Sequence, residues 1–201
     1  YFTTTNGTST QSIASVAGFT TTGNDYYGGF FDGNQNTGDW AYVGIRTGGT
    51  NYKIIGGGTV STVVKDENNQ NRVLFCPESP EITFTDSGTG KLTNGIAEIK
   101  IDPILSKNIF VDEKHPLKVF VQLEGDCNGV FVTEKTSNGF TVKELNNGNS
   151  NVEFSWYIIA SRADSIDASG NVVSKHIDVR FPIGPDKLKY KENGTSKKGD
   201  K

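Results

Sequence analysis

The stretch Val152-Glu153-Phe154-Ser155-Trp156-Tyr157-Ile158-Ile159-Ala160 places an apolar residue at every second position. Side chains of an extended chain point alternately to opposite faces, so this pattern predicts a strand with one face buried. Working back along the chain, the same alternation recurs over 139–145, 129–135, 117–123, 96–101, 81–85 and 72–75. The breaks between these runs carry turn residues: Ser87-Gly88, Asn94-Gly95, Asn128-Gly129, Ser137-Asn138-Gly139 and Asn146-Asn147-Gly148-Asn149. Seven or more strands at a spacing of roughly 10 residues predict an antiparallel β-sandwich over 65–165. One helical turn is expected at Asp102-Pro103-Ile104-Leu105-Ser106-Lys107-Asn108, where Asp suits the cap and Pro the first helical position.

Composition changes near residue 60. Residues 1–60 hold 13 of the 24 glycines but only five charged residues, Asp25, Asp32, Asp39, Arg46 and Lys53. Short β-like runs such as Tyr26-Tyr27 and Phe30-Phe31 are separated by glycine, and Trp40-Ala41-Tyr42-Val43-Gly44-Ile45-Arg46 follows. A segment so poor in large aliphatics builds little core of its own. Residues 1–64 are therefore expected to form a glycine- and threonine-rich β-fibre segment that packs its aromatics against copies of itself. Residues 166–201 are read as a further extended strand, centred on Lys175-His176-Ile177-Asp178-Val179-Arg180-Phe181, followed by a basic tail. The class is all-β.

Composition also excludes functions. With 20 Lys+Arg against 23 Asp+Glu the net charge is −3, without the basic excess of a nucleic-acid binder. No run of 18 apolar residues is present, so no membrane span is expected. Methionine is absent and the first residue is Tyr1, which marks an expected processed or cut piece. His115 and His176 lie far apart in sequence, with no ligand at metal-site spacing, and both read as ordinary surface or strand residues. Cys76 and Cys127 would bridge in an oxidising compartment if the turns carrying them meet; otherwise they pack as small hydrophobes. Glu78, Glu81, Asp86, Glu124 and Asp126 would matter to an enzyme only if they converged at one end of the sandwich. No catalytic residue, metal ligand or cofactor is expected, and the chain does not read as an enzyme.

Several segments, taken in order, carry a resemblance. They are Cys76-Pro77-Glu78-Ser79-Pro80-Glu81, Gly90-Lys91-Leu92-Thr93-Asn94-Gly95-Ile96-Ala97, Val119 through Val132, Gly139 through Leu145, and Asn151 through Trp156. Together with the glycine-rich lead-in they resemble the carboxy-terminal β-domain of phage tail-fibre-like proteins and of long glycine-rich bacterial surface repeat proteins. The resemblance implies a homotrimeric fibre end, outside the cell or on a virion, in which three intertwined chains lead into a globular tip. It implies attachment to a cell-surface glycan or envelope protein and transfers no functional residue. A filament subunit assembled by strand donation is the alternative, and a polysaccharide-acting enzyme the third reading.

Overall fold

The computed structural model describes residues 26–33 and 38–188, and the readings that fall on the remaining residues lie outside it. The described chain is all-β apart from a few short helical turns, and it divides into two units. One holds the described residues up to Pro77 together with Ile183–Leu188; the other is Glu78–Pro182. The division thus falls after Pro77 rather than after residue 64, and residues 166–182 belong to the second unit instead of a separate tail.

The first unit contains β1 (Gly29–Asp32), β2 (Trp40–Thr47) and β3 (Thr50–Gly56), which form an antiparallel sheet in that order. Tyr42 is buried at its centre, with its ring 4.9 Å from those of Tyr27 and Phe30 and 5.6 Å from that of Trp40. These aromatics, expected to pack between copies, therefore pack first on one another within the chain. The Tyr42 hydroxyl donates to the Asp186 carbonyl at 2.9 Å, and Lys187 pairs with Asp32 at 3.0 Å. The first residues of the predicted basic tail are thus fixed on this sheet.

A separate hairpin joins β4 (Ser61–Lys65) to β5 (Asn71–Phe75). Asp66 closes its loop by accepting the backbone N–H groups of Asn68 and Gln70, each at 2.9 Å, around Asn69 in the left-handed region. The short aspartate side chain stands in for a backbone acceptor. Residues 72–75, read as part of the sandwich, belong to this hairpin.

The second unit is the sandwich. Its strands are β6 (Thr83–Lys91), β7 (Ile96–Lys100), β8 (Ile109–Phe110), β9 (Lys118–Leu123), β10 (Val130–Thr136), β11 (Gly139–Glu144) and β12 (Glu153–Arg162). A short hairpin of β13 (Ser165–Ile166) and β14 (Val172–Ser174) follows, its loop closed by Asp167 in the same way that Asp66 closes the other. The helix α1 (Pro103–Asn108) begins as expected, with Asp102 accepting the Ile104 N–H at 2.7 Å and Pro at the first turn. One sheet runs β10-β11-β7; the other has β12 at its centre, with β6 on one side and both β8 and β9 on the other. Phe154, Ile158 and Ala160 of β12 pack in one core with Val121 of β9, Ala97 of β7 and Phe140 of β11. The alternation over 152–160 is the inward face of this central strand.

Two expectations change here. Ser87-Gly88 is not a turn; it lies inside β6, opposite Tyr157 and Trp156. A Cβ at Gly88 would lie 2.5 Å from the Trp156 ring, and one at Gly90 2.5 Å from the Phe154 ring. The glycines leave the space over which those aromatics lie. Residues 175–181 are also not a strand: β14 ends at Ser174, a single bridge of Arg180 to Glu81 follows, and Asp178 and Phe181 turn the chain with φ of 62° and 46°.

Glu144 ties together the loops at one end of the sandwich. Its buried carboxylate accepts the backbone N–H of Asn128 at 3.0 Å and that of Ser150 at 2.8 Å. Those donors, Asn128 first, hold its carboxyl below the usual glutamate range. A lowered value in the folded state adds stability above the ordinary carboxylate range, and that stability is lost as pH falls through the lowered value. The melting temperature of the wild type is expected to drop as pH falls below about 4. Glu144→Gln should start lower by several degrees and show a flatter drop; equal slopes for the two proteins would refute this role.

Candidate functional site

One edge of β12 pairs with two strands in succession: Arg162 and Ser161 with β8, then Ile159 to Phe154 with β9. Between them the chain leaves the sheet over 111–117 and returns at fully buried Leu117. Asp112 holds this excursion, accepting the His115 backbone N–H at 2.7 Å with its carboxylate also 2.9 Å from His115 Nδ1. That backbone N–H is the main reason its carboxyl lies below the usual aspartate range.

A strap, residues 176–180, runs past the excursion and leaves a cleft of about 330 Å³ against β12 and the residues entering β6. His176 anchors the strap. Its ring is buried, Nδ1 donates to the Ala163 carbonyl at 2.7 Å, and Nε2 lies 3.1 Å from the Ser174 hydroxyl. The backbone N–H groups of His176 and Ile177 both donate to Asp164, at 2.6 and 2.9 Å.

Beyond this anchor the strap presents charge. Asp178 pairs with Lys114, and its carboxylate lies 3.1 Å from His115 Nε2. Lys114 is the leading cause of a lowered Asp178 carboxyl, with His115 adding to it. Arg180 pairs with Glu81, whose other oxygen is 3.8 Å from Lys118. His115 thus has a carboxylate at each ring nitrogen.

The two histidines, read as ordinary surface or strand residues, line one cleft. The signal that joins them is the split pairing on β12, which brings 115 and 176 to the same sheet edge and is not a local feature of either sequence. The carboxylates do not converge. Glu81 sits by the Arg162 end of β12, Asp86 opposite Ile158, and Glu124 at the other end, where its backbone N–H donates to the Glu153 carbonyl. Ten residues of strand separate the ends of β12, about 30 Å, far too much for paired acid–base work.

The Ser174–His176 pair has the atoms of a nucleophile and its base. Ser174, however, is buried and does not line the cleft, so the pair works as an internal brace. Among the described residues, no group of three or more His, Cys, Asp or Glu side chains is arranged to hold a metal ion, and no helix is long and apolar enough to cross a membrane. Cys76 is exposed and Cys127 half-buried, each a free thiol and each in a different unit. No family model, curated protein or solved structure matches this chain.

Proposed function

We propose that the chain is the attachment part of a homotrimeric surface fibre, working outside the cell or on a virion, with the glycine-rich unit joining the copies. One observation carries this reading. Every residue of strands β4 and β5 is exposed, including Val63 at 61%, Leu74 at 54% and Phe75 at 68%. A lone two-stranded hairpin is marginal in water, and its edges invite pairing.

Cross-strand register sharpens the point. Val63 lies opposite Val73, and Ser61 opposite Phe75, on one face; Val64 and Leu74 belong to the other. Both faces are apolar, so a single neighbour would cover only one of them. Three hairpins around a common axis give each a neighbour on either side and close the assembly. The charges of the hairpin, Lys65 and Arg72 against Asp66 and Glu67, cancel, so copies meet without net repulsion.

Light scattering on the intact chain tests this. The expected result is a mass of three chains that stays constant over a hundredfold range of concentration, and a shift toward one chain in Leu74→Asp. A mass that climbs with concentration would favour a strand-donating filament. A single-chain mass throughout would overturn both.

A further inference from the structure

We propose that the outer face of the β6–β12–β9 sheet, where it runs into the cleft, binds an acidic oligosaccharide, a chain of sugars bearing carboxylates. The inference rests on the attachment reading above and names its ligand class and its site.

The face has three parts. The first is an aromatic platform. Phe120 and Tyr157 are direct partners across β9 and β12, with ring centroids 6.3 Å apart. Both are on the outer face, 56% and 43% exposed, which leaves a large apolar surface without cover. Such rings accept the C–H face of a sugar, and the tyrosine adds a hydroxyl at its rim.

The second part is a row of hydroxyls. Thr83, Thr85, Ser87 and Thr89 occupy successive outward positions of β6, and Thr89 and Ser87 lie directly opposite Ser155 and Tyr157. Hydroxyls both donate and accept, which suits a polyol whose own hydroxyls do the same.

The third part is charge. Lys118 and Ile159 are partners one same-face step from the platform, about 7 Å along the strands, and both line the cleft. The cleft presents Lys114, Lys118 and Arg180 against Glu81 and Asp178, a positive balance on a chain whose net charge is −3. Each of those carboxylates is shared between two basic groups. Lysine carries three donors and arginine five, so donors remain for a carboxylate on the ligand. Neutral sugars would use the platform and the hydroxyls but leave the charged end unanswered.

The test is calorimetric titration of the intact chain with trigalacturonate and, separately, with neutral maltotriose at low ionic strength. The expected result is saturable binding of trigalacturonate, about tenfold or more tighter than maltotriose, and weakened by added salt. Tyr157→Ala and Lys118→Gln alter exposed side chains and should each weaken it about tenfold while leaving the melting temperature unchanged. No saturable binding at millimolar ligand, equal binding of the neutral sugar, or full retention in both variants would overturn the proposal. So would a Tyr157→Ala chain whose mass changes, since the face would then lie between copies. Mass measured on the same samples separates this inference from the fibre reading. A single chain that binds keeps the site and loses the trimer, whereas a trimer that does not bind does the reverse.

Discussion

Phe154→Ala is expected to lower the stability of the Glu78–Pro182 unit by about 3–5 kcal/mol. Phe154 is 1% exposed and lies on the inward face of the central strand, between Leu123 of β9 and Gly90 of β6. Removing the ring forfeits its transfer free energy and leaves a cavity. Collapse would normally recover part of that loss, but Gly90 has no side chain to swing into the gap. The cost should therefore sit in the upper part of the range for large core aromatics. A urea titration followed by tryptophan fluorescence reads it, because Trp156 packs against the same core. A loss below about 1 kcal/mol would mean that the ring does not fill the space assigned to it.

Gly95→Ala comes next, at about 2–4 kcal/mol. Asn94 and Gly95 form the two-residue turn between Thr93 and Ile96, with φ of 49° and 79°. Alanine there is strained by backbone conformation alone. Its Cβ would also fall 2.0 Å from the Gly148 carbonyl oxygen, and that neighbour is backbone, which cannot rotate away. The Gly95 N–H donates to Ser150 and its carbonyl accepts from Glu144, so any shift disturbs the loops that Glu144 holds. Gly170→Ala is the matched control. It has a similar φ of 86° with nothing near the new Cβ, and should cost only about 1 kcal/mol. Equal losses at the two positions would show that strain, and not overlap, sets the effect.

The strands of the sandwich were legible because burial on one face forces alternation, and Phe154, Ile158 and Val121 obey it. The Asn94-Gly95 turn was legible because few residue pairs accept two positive φ angles in succession. Gly88 was misread for a related reason. Glycine marks both a bend and a place where something large comes close, and only the position of Trp156 across the sheet separates the two. The strap failed differently: Lys175 through Phe181 alternates well enough, yet His176, Asp178 and Arg180 are held by Ala163, His115 and Glu81, all distant in sequence. The outer face was hidden because the alternation that reports a core says nothing about what its solvent side collects. Glycine-rich composition likewise pointed to aromatics shared between chains, whereas Tyr42 first satisfies itself within its own sheet.

The interrupted edge of β12 has a consequence for how this protein can change. Because β8 and β9 are each fastened to β12 separately, pairing does not dictate how many residues run between Phe110 and Lys118. Lengthening a flexible loop is cheap, about 0.6 kcal/mol for each doubling. Insertions or deletions there would reshape one rim of the cleft while the registers on both sides, and the core beneath them, stay as they are. The break in the strand thus lets this rim change in length and shape at little expense to folding.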